Sequence, residues 1–233
     1  MYPHKILAAD PPGPDSWQSF VKRGPLDSPP WGRNPWHTAF SDHPWFRSLD
    51  GTARKKMEFS FETLEGRRVP MEAFRNGTGL VIGFGGKPEE LPILGELFSL
   101  RFVWGIDWAW DAVLEGARSF AQQGFDPNRY GLCHSDGRDL REFLQAETID
   151  VIYGCGLEAI DVEHAQEMKA VLKPSGVVIL SLMMNPSKRC DFNDHLAQHG
   201  VFMLDRRGPI YWQKFPVNET VITFDKIRAR FQA

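Results

Sequence analysis

The sequence predicts an α/β fold: a mostly parallel sheet with helices on both faces, finished by a C-terminal antiparallel hairpin and preceded by an aromatic, proline-rich segment. Three observations predict it. Short apolar runs alternate with helical stretches from residue 77 onward, the order that a parallel sheet with crossover helices needs. The runs Val201 to Asp205, Ile210 to Phe215 and Thr220 to Ile227 are joined by turns too short for a crossover, so they pair antiparallel. Pro29-Pro30-Trp31, Asn34-Pro35-Trp36-His37 and His43-Pro44-Trp45-Phe46 forbid long helices within the first 50 residues. They are also too aromatic for a disordered tail, so this segment is expected to pack as a wrap or lid.

The elements follow in order. Residues 1–76 form the wrap or lid, with a strand expected at Met57 to Phe61 and a short helix at Pro70 to Arg75. Residues 77–233 form the catalytic domain, opening with a strand at Gly79 to Gly83. Pro88-Glu89-Glu90 then starts a helix running to Leu100, since proline and acids suit the first helical turn. A strand at Phe102 to Ile106 ends at Asp107, and a helix carries Ala112 to Phe120. Then come a strand at Tyr130 to Cys133, a helix at Asp139 to Leu144 and a strand at Asp150 to Tyr153. A helix at Val162 to Val171, a strand at Gly176 to Met183 and a helix at Asp191 to His199 precede the hairpin.

Composition bounds the function. Lys and Arg total 27 against 30 Asp and Glu, a net charge of -3, so the chain lacks the basic excess that phosphate contacts to nucleic acid require. Prolines at 11, 12 and 14 interrupt any secretion-signal run, and no stretch approaches a membrane span. A cytoplasmic enzyme with a small-molecule substrate, without nucleic-acid or membrane partners, is expected. Cys133, Cys155 and Cys190 lack the paired spacings of a metal or redox site, so no metal is expected.

Gly83-Phe84-Gly85-Gly86 falls between an apolar strand and a helix, where glycine allows a sharp turn and close approach to a ligand. Asp107 follows Gly83 by 24 positions (107 − 83) at the end of the next strand. That is near the roughly 20-residue offset at which an acid meets ribose hydroxyls in nucleotide-binding βαβ units. A dinucleotide is disfavoured, because Pro88 replaces the third glycine and Glu89 and Glu90 would face a pyrophosphate. A phosphate-binding loop also fails, since no Gly-Lys-Ser/Thr follows. An adenosine ligand without phosphates fits, and the sulfonium of S-adenosylmethionine tolerates those acids.

The order of these features resembles the class I, Rossmann-like, S-adenosylmethionine-dependent methyltransferase superfamily. Val81 to Gly86 is similar to its first motif and Ile106-Asp107 to its acid-ended second strand. Ser135-Asp136-Gly137-Arg138-Asp139-Leu140 is similar to the segment after the third strand, Asp150 to Tyr153 to the fourth, and Leu172-Lys173-Pro174-Ser175-Gly176 to the turn before the fifth. The resemblance spans residues 77 to 227. It implies a cofactor site of Gly83, Phe84, Gly85, Asp107, Trp108, Asp136, Gly137, Tyr153 and Gly154. In it the glycines line the methionine part, Asp107 holds the ribose and Trp108 stacks on adenine. Asp136 accepts from the adenine amine, and the Gly137 amide reaches the ring. Tyr153, Gly154 and Cys155 fall where the family places its reacting centre. Two positions depart from the pattern: Val81 stands for an acid, and Lys87-Pro88 replace a glycine.

Methyl transfer is an in-line displacement that needs alignment and exclusion of water. Tyr153 and His37 are the candidate catalytic groups, with His37, His43 or His134 available as a base. Trp31, Trp36, Trp45 and Phe46 suit a roof over a cationic sulfur. Two alternatives stay open: chemistry on the aminobutyrate chain that releases methylthioadenosine, and a non-catalytic partner that binds the cofactor.

Overall fold

The computed structural model describes residues 16–23, 52–85, 88–157, 160–182, 186–198, 200–205 and 210–214. The strands are β1 (Val21–Arg23), β2 (Thr78–Ile82), β3 (Phe102–Asp107), β4 (Tyr130–His134), β5 (Ile149–Leu157), β6 (Leu172–Leu182), β7 (Val201–Asp205) and β8 (Ile210–Lys214). The helices are α1 (Thr52–Gly66), α2 (Glu90–Leu97), α3 (Trp110–Gln123), α4 (Val162–Val171) and α5 (Pro186–Gln198). Together the strands form one sheet of order β1-β4-β3-β2-β5-β6-β8-β7. β1 to β6 run parallel, and β8 pairs antiparallel with both β6 and β7, giving the Rossmann-like arrangement with its C-terminal hairpin.

The central strands read as continuous apolar runs because both of their faces are covered. Alternate residues enter opposite layers. Val81, Val151, Tyr153, Val177 and Ile179 join the cluster under α1, α2 and α3, with Met57, Leu64, Leu91, Leu94, Val113 and Phe120. Leu80, Ile82, Ile152, Val178 and Leu180 join the cluster under α4 and α5, with Met168, Val171, Phe192 and Leu196. The period of two along a strand separates the two sets.

Two local expectations are corrected. Met57 to Phe61 is helical, because Met57, Ser60, Phe61 and Leu64 recur at i, i+3, i+4 and i+7 and turn one face of α1 inward. Asp139 to Leu144 contains only a single 3₁₀ turn, Leu140–Glu142. Met71–Phe74 is likewise one 3₁₀ turn within the short helix expected there. The strand expected at Thr220 to Ile227 lies outside the described residues, as do Trp31, Trp36, Trp45 and Phe46.

Part of the N-terminal segment belongs to the sheet. β1 lies parallel beside β4, pairing Val21 with Leu132, and Phe20 packs edge-on against Phe120 of α3 at 5.5 Å. At the other side of the sheet Lys214 is 5% exposed. Its Nζ donates to the carbonyls of Leu172 (2.6 Å) and Lys169 (3.3 Å) and to Glu147 Oε1 (2.8 Å), tying β8 to the end of α4. Among the described residues, no helix is long and apolar enough to cross a membrane.

Candidate functional site

The chain leaves β2 for β3 and β4 on one side and returns to β5 and β6 on the other, so the strand order reverses between β2 and β5. Open α/β sheets bind ligands at this reversal, outside the carboxyl ends of the strands. Gly83 and Gly85 lie there with φ of +70° and +64°, a left-handed turn that other residues adopt only at a cost. The Gly83 amide donates to Ile106 O at 2.8 Å, holding the turn against β3.

Asp107 organises this edge. It is 3% exposed, accepting the Gly85 amide at Oδ2 (2.8 Å) and the Ala109 amide at Oδ1 (2.9 Å), while its carbonyl accepts the Ser135 amide (3.0 Å). One acid thereby binds the glycine turn, the start of α3 and the loop after β4. Trp108 follows it at 39% exposure, and its carbonyl accepts a hydrogen bond from His134 Nε2 at 2.9 Å.

The loop after β4 carries Asp136 and Gly137, and α4 holds it. His164 Nε2 lies 3.3 Å from Asp136 Oδ1, and its Nδ1 lies 2.7 Å from Asp161 Oδ1. Asp161 also caps α4 by accepting the His164 amide at 3.2 Å. Arg138 completes the cluster, donating through Nη2 to Asp136 Oδ2 (2.6 Å) and through Nε to Oδ1 (3.2 Å). One turn along α4, Glu167 accepts from the Arg141 amide (2.9 Å) and Nε (2.7 Å), a second tie to this loop.

Electrostatics follow from that geometry. Burial opposes charge on the His164 ring, yet its hydrogen bonds to Asp136 and Asp161 outweigh burial and raise its pKa. Asp136 is likewise pushed up by burial, but His164 and Arg138 hold it well below the usual carboxylate range. Cys133, three residues earlier on β4 (136 − 133), has its thiol pushed up to about 12 by burial.

Of the residues expected in a cofactor site, the structure brings Gly83, Gly85, Asp107, Trp108, Asp136, Gly137 and Gly154 to the carboxyl edge of β2, β3, β4 and β5. Gly154 pairs with Ile82 and Leu180. Phe84 and Tyr153 are instead packed into the apolar layer. Phe84 is buried in the first apolar cluster, and a Cβ on Gly116 of α3 would come 3.0 Å from its ring. Tyr153 sits in mid-strand opposite Val81 and Ile179, 3% exposed in the same cluster. His37, His43 and Gly86 lie outside the described residues, as does the side chain of Cys155. His164 was not anticipated; the spacing Asp161-x-x-His164 at a helix start is the signal that points to it.

No protein-family model matches the sequence, and no curated protein matches it. Solved structures do resemble its fold. A Haloferax volcanii protein assigned as a methyltransferase, in complex with the activator Trm112, superposes with a TM-score of 0.54 at 13% identity, over 86% of this chain and 93% of that one. An rRNA methylase from Streptococcus thermophilus gives 0.51 at 13% identity, over 69% and 97%. A Galdieria sulphuraria protein assigned as a sarcosine dimethylglycine methyltransferase gives 0.51 at 15% identity over 65% of this chain, which spans only 64% of that protein. The fold is therefore that of class I S-adenosylmethionine-dependent methyltransferases.

Proposed function

We propose that the chain is an S-adenosylmethionine-dependent enzyme that transfers the methyl group to a small organic or amino-acid-like acceptor. The observation that carries this reading is the left-handed Gly83–Gly85 turn, bonded through the Gly85 amide to the buried acid Asp107 at the reversal of strand order. A backbone turn with no side chain admits a ligand closely, and an acid beside it suits ribose hydroxyls and repels a pyrophosphate.

The cofactor, when bound, supplies an activated methyl on sulfur. The chain's own groups bind and orient. Asp107 fixes the turn and faces the ribose, Trp108 offers a partly exposed ring to adenine, and Asp136 with the Gly137 amide meets the adenine edge. His37 remains the candidate base. A net charge of -3 argues against an RNA acceptor and favours a small one.

The test is incubation of the purified chain with S-adenosylmethionine alone, followed by mass spectrometry of the adenosine products. Binding without consumption, lost in Asp107→Ala, supports methyl transfer awaiting an acceptor. Methylthioadenosine above the spontaneous background, also lost in Asp107→Ala, overturns it in favour of aminobutyrate-chain chemistry. Binding that persists without turnover across a panel of small amines, acids and phenols identifies a non-catalytic partner.

A further inference from the structure

We infer that His164 is a positioning residue for purine recognition: by donating to Asp136 it sets the loop that distinguishes adenine from other purines. The inference rests on the proposed reading that Asp136 and Gly137 meet the adenine edge.

Four observations place His164 in this role. Its ring lies between two carboxylates on different elements, with Nε2 3.3 Å from Asp136 on the loop after β4 and Nδ1 2.7 Å from Asp161 at the start of α4. Nδ1 also lies 3.3 Å from the Asp161 amide, which donates to it in the helix cap, so the ring is fixed on the α4 side and Nε2 is left to donate to Asp136. The ring also lies against Gly137, where a Cβ would come 2.7 Å from Cδ2, so any side chain at 137 would displace either the ring or the loop. Finally, α4 is anchored below this point by the Glu167–Arg141 pair, so the ring stands on a fixed support.

The consequence for recognition is one of charge. Arg138 and His164 share Asp136, and together they keep it an anion that can only accept. An anion held in place accepts from the 6-amino group of adenine and repels the 6-carbonyl of hypoxanthine. Without His164 the carboxylate keeps, among the described residues, only Arg138, which is carried on the same loop and cannot fix it relative to α4.

The experiment is calorimetric titration of the full chain with S-adenosylhomocysteine and with S-inosylhomocysteine. The wild-type chain is expected to prefer the adenosyl ligand. His164→Ala is expected to lower that preference about tenfold, the worth of one charge-assisted hydrogen bond, by weakening the adenosyl ligand alone. His164→Gln, whose amide can still donate to Asp136, is expected to restore most of the preference. A folded His164→Ala chain that keeps the wild-type preference, or weakens both ligands equally, overturns the inference. So does a wild-type chain that binds both ligands without preference.

Should His164→Ala fail to fold, Asp161→Asn decides, because asparagine preserves the helix cap and removes only the charge behind the ring. It is expected to lower the preference severalfold, and an unchanged preference there overturns the inference. A wild-type chain that binds neither ligand overturns the proposed function, and this inference with it.

Discussion

Replacing Gly85 and Gly83 by alanine, one at a time, separates the two reasons for glycine in the turn after β2. Gly85 holds φ at +64°, and among the described residues nothing lies within 4 Å of where its Cβ would stand. Its substitution therefore costs only the left-handed backbone, about 1–2 kcal/mol. Gly83 has φ of +70°, and its Cβ would in addition meet Leu157 Cδ2 at 2.7 Å. Turning the half-buried Leu157 side chain off its rotamer adds about 0.5–1.5 kcal/mol, so Gly83→Ala is expected to lose about 1.5–3.5 kcal/mol in all. At about 2–4 °C per kcal/mol for a chain of this size, Gly85→Ala lowers Tm by about 2–8 °C. Urea denaturation followed by circular dichroism measures both, with Leu157→Ala and the Gly83→Ala/Leu157→Ala pair closing a double-mutant cycle. Shortening Leu157 should relieve the collision, so the pair loses less than the sum of its members. Gly83→Ala no costlier than Gly85→Ala, or strict additivity with Leu157→Ala, refutes the reasoning.

Two further outcomes are expected. Lys214→Met should cost about 1–3 kcal/mol, the penalty of buried carbonyls left without their donor, since Glu147 is half-exposed and regains water; urea denaturation measures it, and hydrogen exchange should show the end of α4 opening first. The Asp136–His164–Asp161 cluster should give stability a pH dependence. His164, raised in the fold, contributes fully below its unfolded value near 6.5, and that contribution is lost as pH rises through the folded value. Asp136 and Asp161, both held low, contribute above the ordinary carboxylate range and lose that contribution as pH falls. Thermal unfolding across this range should show the alkaline-side loss in wild type and not in His164→Ala.

The sheet was legible where a strand is buried on both faces. Leu80 to Ile82, Phe102 to Ile106 and Val177 to Leu180 are unbroken apolar runs, and the short turns after Val201 forced an antiparallel end. Met57 to Phe61 misled because five residues of mixed polarity fit a strand as well as a helix; only the longer series through Leu64 shows the helical period. In the candidate site the turn glycines and Asp107 were readable because spacing alone identifies them. The depth of Tyr153 was not, because sequence places a residue near a strand end without saying where pairing stops: β5 continues to Leu157 and leaves Tyr153 buried. His164 was missed because its role depends on Asp136, 28 positions earlier (164 − 136), and no local pattern links the two.

The short strand β1 changes what the N-terminal segment is. Since Val21–Arg23 is stitched to β4 and α1 covers the apolar layer behind β2, residues 24–51 are a span fastened at both ends to one body. A deletion ending at residue 50 would therefore strip an edge strand from β4 and take Phe20 from the core, confounding loss of a roof with loss of structure. Excising 24–51 alone and bridging the gap with a flexible linker leaves both fastenings in place. Because closure entropy grows only slowly with loop length, the linker itself costs little, and any change in stability or turnover reports what the span contributes.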